Sequence, residues 1–289
     1  MRVLLDAPDL IALFQRSDPL SPEQFEAWLH AREGTMVLTG TNVAEASALL
    51  LDAGKSSELR SLLRAVAAMP VCFLKEIAVF VEELGGALVA YGRGREPPPV
   101  APYVTKWTDT LGISLGKSYA SQSIPDTIAH LWRTAPEALR HFHRYQEILA
   151  EDSAADVSSL PPSAAGPHRA EAHFARYVER QLKLHGFALP PLGTAEFANW
   201  VYASPRRCPG LRLAFEVSRA LIASGEMVAS EGQLGGLGHL HAIPYVEAIT
   251  MAGRLFRHCR AVSERLRQAT AGVDYCGRIF PDLKSLLGR

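Results

Sequence analysis

At 289 residues the chain can fill one large domain or two ordinary ones. Hydrophobic residues make up 48% of it and charged residues 21%, which excludes a disordered polyelectrolyte and predicts a packed core. Lysine plus arginine balances aspartate plus glutamate, so no global field draws the chain to nucleic acid or membrane, and only a local basic surface could do so.

The first predicted element is a short apolar strand, Val3-Leu4-Leu5, that stops on Asp6 and turns at Pro8. A helix carrying Leu10, Ile11, Leu13 and Phe14 follows. A strand-to-helix turn at the carboxyl end of a parallel strand is where open α/β folds place their chemistry, and Asp6 holds that position here. Ser21-Pro22-Glu23-Gln24 has capping-box spacing with proline at the first helical position, and Gly34 ends that helix. Thr35 to Thr39 reads as a second strand. Asn42 reads as the cap of a helix through Val43, Ala46, Leu49 and Leu50. Strand, helix, strand, helix at this spacing argues for a βαβ unit and a parallel sheet.

From about Ser56 to Ser204 the pattern is helical with almost no strand signal. Helical stripes are read at Leu59–Val66, Cys72–Ala90, Ala170–His185 and Thr194–Tyr202, and a capping box at Thr134–Glu137. Tyr91 to Pro99 is a breaker-rich link, and Ser153 to Gly166 a small, polar, proline-rich loop. Near Pro209 the α/β pattern returns. It comprises a helix through Leu211 and Leu221, a glycine-rich turn at Gln233–Gly238, a helical turn at His239–Ala242 and a strand at Tyr245–Thr250. A basic helix at Arg254–Arg267 and a last strand at Gly277–Phe280 complete it. The expected architecture is an α/β core from residues 1–54 and 205–289, its short parallel sheet flanked by helices in three layers, with a helical insertion at 55–204.

Cys72, Cys208, Cys259 and Cys276 lie far apart without a C-x-x-C pair, which suits separate thiols in a reducing compartment rather than a disulfide framework or a zinc site. No basic region followed by an apolar signal core is read at the N-terminus, and Glu82 and Glu83 interrupt the apolar run Ile77–Val89 too early for a membrane span. The expectation is a cytoplasmic protein with no membrane partner.

Two stretches together resemble the PIN-domain family. Leu4-Leu5-Asp6-Ala7-Pro8-Asp9-Leu10-Ile11 is similar to that family's opening Leu-Asp-Thr-Asn-x-Leu-Ile. Gly236-Leu237-Gly238-His239, then Ile243-Pro244-Tyr245-Val246-Glu247, then Thr250-Met251-Ala252-Gly253-Arg254 is similar to its Asp-x-x-His, Ile-Pro-Tyr-x-Asp and Thr-x-Asp-x-Arg. Glu45 stands where the family carries a second acidic residue on a helix. The resemblance implies a metal-dependent ribonuclease, of the kind found as toxins in bacterial toxin–antitoxin pairs. Asp6 and Glu45 would then be its catalytic, Mg²⁺- or Mn²⁺-holding carboxylates. Departures from the pattern are as informative. The third acidic position falls on Gly236 and the fourth on Ala252, so the implied active site is degenerate. Hard divalent cations need oxygen ligands in octahedral array, and glycine and alanine side chains supply none. Glu231 and Glu247 are the nearest carboxylates to fill the gap.

Each of these residues has a second reading. Asp6 serves equally as an N-cap, and Glu45 completes a capping box from Asn42. His239 and His241 are spaced to point apart and read as packing residues. Arg254 and Arg257, at the start of a helix that also carries Arg260, Arg265 and Arg267, read either as RNA-phosphate contacts or as a solvated face. Two functions follow: a PIN-like ribonuclease with an impaired metal site acting on RNA, or a catalytically inactive PIN-like module that binds RNA, or a protein through the insertion.

Overall fold

A computed structural model describes residues 1–15, 21–75, 77–104, 167–190, 193–226, 239–270 and 273–288. In chain order the strands are β1 (Arg2–Leu4), β2 (Thr35–Leu38), β3 (Val71–Leu74), β4 (Tyr103–Val104), β5 (Ala248–Thr250) and β6 (Ile279–Phe280). The helices are α1 (Ala7–Phe14), α2 (Pro22–His30), α3 (Gly40–Asp52), α4 (Ser56–Ala68), α5 (Ile77–Gly92), α6 (Pro167–Leu184), α7 (Thr194–Ala203), α8 (Pro209–Ala223), α9 (Gly253–Ala269) and α10 (Leu283–Leu287), with a 3₁₀ turn at Leu240–Tyr245.

The fold is α/β, with one six-stranded sheet in the order β4-β3-β2-β1-β5-β6. β1 pairs in parallel with both β2 and β5, setting Val3 beside Met36 and Ala248. β2–β3 and β5–β6 are also parallel, whereas β4 runs antiparallel to β3. The sheet is therefore mixed. From β1 the chain winds out through β2 and β3, then returns to the other side of β1 for β5 and β6. The switch falls between β1 and β5, and in open α/β sheets the crevice at such a switch is the usual binding site.

Period-two alternation explains the layers. Val3, Leu5, Met36 and Leu38 point to one face, where they bury against α1, α3 and α4 through Leu10, Leu13, Leu50, Leu59 and Leu62. Leu4, Val37 and Ile249 point to the other and bury against Leu213 and Val217 of α8 and Cys259 and Val262 of α9. A third core joins α5, α6, α7 and α8 around Phe174, Phe197, Val201 and Leu211, each fully buried. The ring of Phe174 lies 5.0 Å from Phe215 edge-on and 5.3 Å from Tyr202. Inside this core Arg212 is held as an ion: it pairs with Glu216 at 3.0 Å, and its guanidinium lies 3.4 Å from the centre of the Tyr202 ring.

Several sequence expectations need correction. β3 and β4 fall within residues 55–204, so the sheet takes two strands from a stretch read as helical. The Cys72–Ala90 stripe divides into β3 and α5 because Val71-Cys72-Phe73-Leu74 is an apolar run bounded by Pro70 and Lys75. Such a run does not distinguish a short buried strand from a helix end by periodicity alone. Along α3, Val43, Ala46 and Leu50 are buried while Leu49 is 51% exposed. The capping box at 134–137, the loop at 153–166 and the glycine-rich turn at 233–238 lie outside the described residues. Among the described residues no helix is long and apolar enough to cross a membrane.

The third core gives a direct test. Phe174→Ala is expected to lower unfolding free energy by about 3–5 kcal/mol in urea titration, by loss of transfer energy plus the cavity left behind. Val89→Ser, at a position 54% exposed on α5, is expected to stay within about 0.5 kcal/mol.

Candidate functional site

The carboxyl ends of β1, β2 and β5 meet at the switch point, and three local devices shape that edge. At β1, Asp6 leaves the strand in extended conformation and caps α1, its Oδ1 accepting from the Asp9 amide at 3.1 Å. Pro8, in the first turn, needs no hydrogen-bond partner for its nitrogen there. At β2 the cap of α3 is Thr39, not Asn42. The Thr39 hydroxyl accepts from the Asn42 amide at 3.0 Å, and Asn42 Oδ1 accepts from the Thr39 amide at 2.8 Å. Asn42 is the third residue of the helix and completes the box that had been expected of Glu45. At β5, Thr250 Oγ1 accepts from the Asp6 amide at 2.9 Å, which ties the ends of β5 and β1 together.

Asn42 makes a further bond that joins the first two devices. Its Nδ2 donates to the Leu5 carbonyl at 3.2 Å, across the β1–β2 boundary, and its side chain is fully buried. Glu45, one turn further along α3, is thereby aimed over the same edge. Its Oε2 lies 3.4 Å from Nε2 of His239, which is buried and immediately precedes the 3₁₀ turn. His239 also acts on Asp6 electrostatically, favouring its charged form. Asp6, Glu45 and His239 thus come together from three separate parts of the sequence. Sequence reasoning treated His239 as a packing residue; the signal that could have singled it out was its place in the Asp-x-x-His-like segment.

Electrostatics at this edge are set by burial. The Asp6 carboxyl is pushed up to about 7, first by desolvation and then by the negative charge of Asp9, against the opposing pull of the Asp9 amide and His239. The buried His241 imidazole is lowered to about 4 by desolvation and by His239, and its Nε2 is buried without a hydrogen-bond partner among the described residues.

Among the described residues, the oxygen atoms at this edge are already engaged with neighbours. One Asp6 oxygen caps α1, Glu45 faces His239, and Thr250 Oγ1 is taken by the Asp6 amide. Ala252, at the fourth acidic position, is exposed and caps α9 with no side-chain bond. Glu247 does not fill the gap. It stands before β5, at the opposite edge of the sheet, where its Oε2 accepts from the Arg2 amide at 2.5 Å. Among the described residues no group of three or more His, Cys, Asp or Glu is arranged to hold a metal ion. Gly236 and Glu231 lie outside the described residues.

Arg254 and Arg257 occupy the first turns of α9, which leaves the same sheet edge from β5, and both are exposed. Glu226 lies near them, 3.9 Å from Arg257 and 2.8 Å from His258. Gly253 opens the helix at φ +64°, a conformation that L side chains rarely adopt. Comparison of the chain with family models, with curated proteins and with solved structures gives no match.

Two outcomes are expected at this edge. Asn42→Ala removes three buried hydrogen bonds, and it is expected to cost about 2–4 kcal/mol in urea unfolding. The Asp6 pKa is raised in the folded chain, so its stabilising contribution is full below about pH 4 and is lost as pH rises through about 7. Asp6→Asn keeps an oxygen for the Asp9 amide but cannot ionise. Relative to the native chain it is expected to gain about 1–3 kcal/mol between pH 4 and pH 8, read from thermal midpoints across that range.

Proposed function

We propose that the chain is a PIN-like module that binds single-stranded RNA along the carboxyl edge of its sheet, with a site too poor in oxygen donors for ordinary two-metal cleavage. The observation that carries this reading is the combination, on one edge, of exposed Arg254 and Arg257 with a carboxylate pair whose further acidic position is Ala252. Arginine supplies several donors in a fixed fork that suits phosphate oxygens. The first turn of α9 adds backbone N–H groups at a helix start that no cap side chain satisfies among the described residues. Contacts of this kind place a backbone without reading sequence, so the expected binding is electrostatic and sequence-tolerant.

A direct test is fluorescence anisotropy with a labelled single-stranded RNA at several salt concentrations. The double variant Arg254→Glu, Arg257→Glu is expected to bind at least about tenfold more weakly at low salt. Its salt slope should be smaller by about 1.4, two phosphate contacts' worth on single strands. Absence of salt-dependent RNA binding by the native chain would sink the proposal.

One observation favours the ribonuclease as a second reading. Asp6 and Glu45 stand at the carboxyl ends of β1 and β2 on the same edge of the sheet, and two carboxylates plus substrate phosphate oxygens can together hold one ion. The two readings separate on cleavage of a mixed RNA pool with Mg²⁺ or Mn²⁺. The binding module predicts equal background from the native chain and Asp6→Asn. Metal-dependent cleavage lost in that variant would reverse the order of the readings.

A further inference from the structure

The basic start of α9 is already faced by a carboxylate from another helix. α8 ends at Ala223, and Gly225 turns the chain at φ +67°. The Glu226 amide then donates back to the Leu221 carbonyl at 3.1 Å, a helix-ending arrangement that fixes where residue 226 leaves α8. Leu221 shares a core with Cys259 and Val262, so the end of α8 is held against α9. Glu226 is thereby brought to α9 from outside it. Its Oε2 lies 2.8 Å from Nε2 of His258 and its Oε1 3.9 Å from the Arg257 guanidinium, and Arg254 acts on the same carboxylate electrostatically. A carboxylate offers only acceptors, so Nε2 of His258 carries the hydrogen that it donates. Glu264 makes the contrast. It pairs with Arg267 three residues along its own helix, the ordinary pattern of a solvated helix face, whereas Glu226 crosses from one helix to another.

We propose that His258 and Arg257 form a binding site for one phosphate of single-stranded RNA, and that Glu226 occupies this site in the free chain and leaves it when RNA enters. The proposal rests on the RNA-binding reading above, to which it adds a contact residue and a built-in competitor. A phosphodiester carries one negative charge, as a carboxylate does, and offers oxygens to the same donors. Exchange of one for the other therefore preserves both the hydrogen on His258 Nε2 and the local charge. Little has to move. The Glu226 side chain is 33% exposed, so its release is a rotation into solvent that leaves α8 as it is. Arg257 is 65% exposed and His258 18%, so an arriving strand meets the arginine first and the imidazole once the carboxylate has swung away. Exposed ion pairs are weak, so this competitor lowers RNA affinity without abolishing it.

The test compares Glu226→Gln with Glu264→Gln, in the full chain, by anisotropy of a labelled single-stranded RNA at physiological salt. Each variant removes one negative charge at α9, but Arg267 lies about 15 Å along the helix from Arg257, beyond the screening length. Glu226→Gln is expected to tighten RNA binding about two- to fivefold, and Glu264→Gln to leave it nearly unchanged. Glu226→Ala, which leaves no side-chain acceptor, should act at least as strongly as Glu226→Gln. Adding His258→Phe, which keeps a ring but no donor, to Glu226→Gln should remove the gain. A second arm needs no RNA. The His258 ring signals are followed by NMR during titration with inorganic phosphate at fixed pH and ionic strength. They should shift in Glu226→Gln and stay in place in the native chain. Equal RNA affinity in the native chain and both Glu226 variants, or equal phosphate shifts in the native chain and Glu226→Gln, would overturn the proposal. If no form of the chain binds RNA while the phosphate difference is seen, the RNA reading falls and the occupied anion site stands.

Discussion

Asn42 holds the edge on which everything else at the switch point rests. A buried amide has four hydrogen-bonding positions, and this one binds the Thr39 amide, the Thr39 hydroxyl and the Leu5 carbonyl. The first two bonds start α3 at the end of β2, and the third pins that start to the residue after β1. Between β1 and β2 this side-chain bond adds to the backbone pairing of the strands. With the pin in place, Asp6 and Glu45 keep a fixed relation even though they sit on different elements. Thr250 does the same for β5 through the Asp6 amide. Short polar side chains at strand ends thus convert a parallel sheet into a shaped edge.

Two buried carboxylates, Glu216 and Glu83, and the partly buried Asp6 show how differently the same chemistry is handled. Glu216 lies between Arg212 and Arg219, and aromatic rings cover the guanidinium, so its charge is paired within the third core. Glu83 accepts from neutral donors, two of them the amides that open α8, and, among the described residues, pairs with no cation, and Asp6 has a second carboxylate, Asp9, as its neighbour. Desolvation therefore dominates for the latter two and brings both into the neutral range.

How much was legible depended on whether the signal was local. Ser21-Pro22-x-Gln24 was readable because a capping box lies within one turn, and α1, α2, α6, α7 and α9 follow from caps and helical periodicity. Asp6 as a cap was also readable, since its partner is three residues away. Asn42 was misread because both Thr39 and Asn42 are good caps, and only the geometry at the end of β2 selects between them. β3 was missed because four apolar residues do not reveal a period. Its identity as a strand comes from pairing with β2, a contact made across the whole of α3 and α4. Glu83 carried no signal at all, for its partners lie more than a hundred residues away.

The sequence by itself determined the α/β class, the strand-to-helix turn at Asp6, the basic start of α9 and the absence of a carboxylate at residue 252. These are statements about residue identity and neighbours within a turn or two, where propensity and capping act. Only the tertiary structure decided that β3 and β4 extend the sheet, that Glu247 lies at the far edge, that Glu45 faces His239 and that Glu83 caps α8. Each of these depends on contacts between distant segments. There burial makes an unpaired polar group costly enough to choose its partner, and no spacing in the chain encodes that choice.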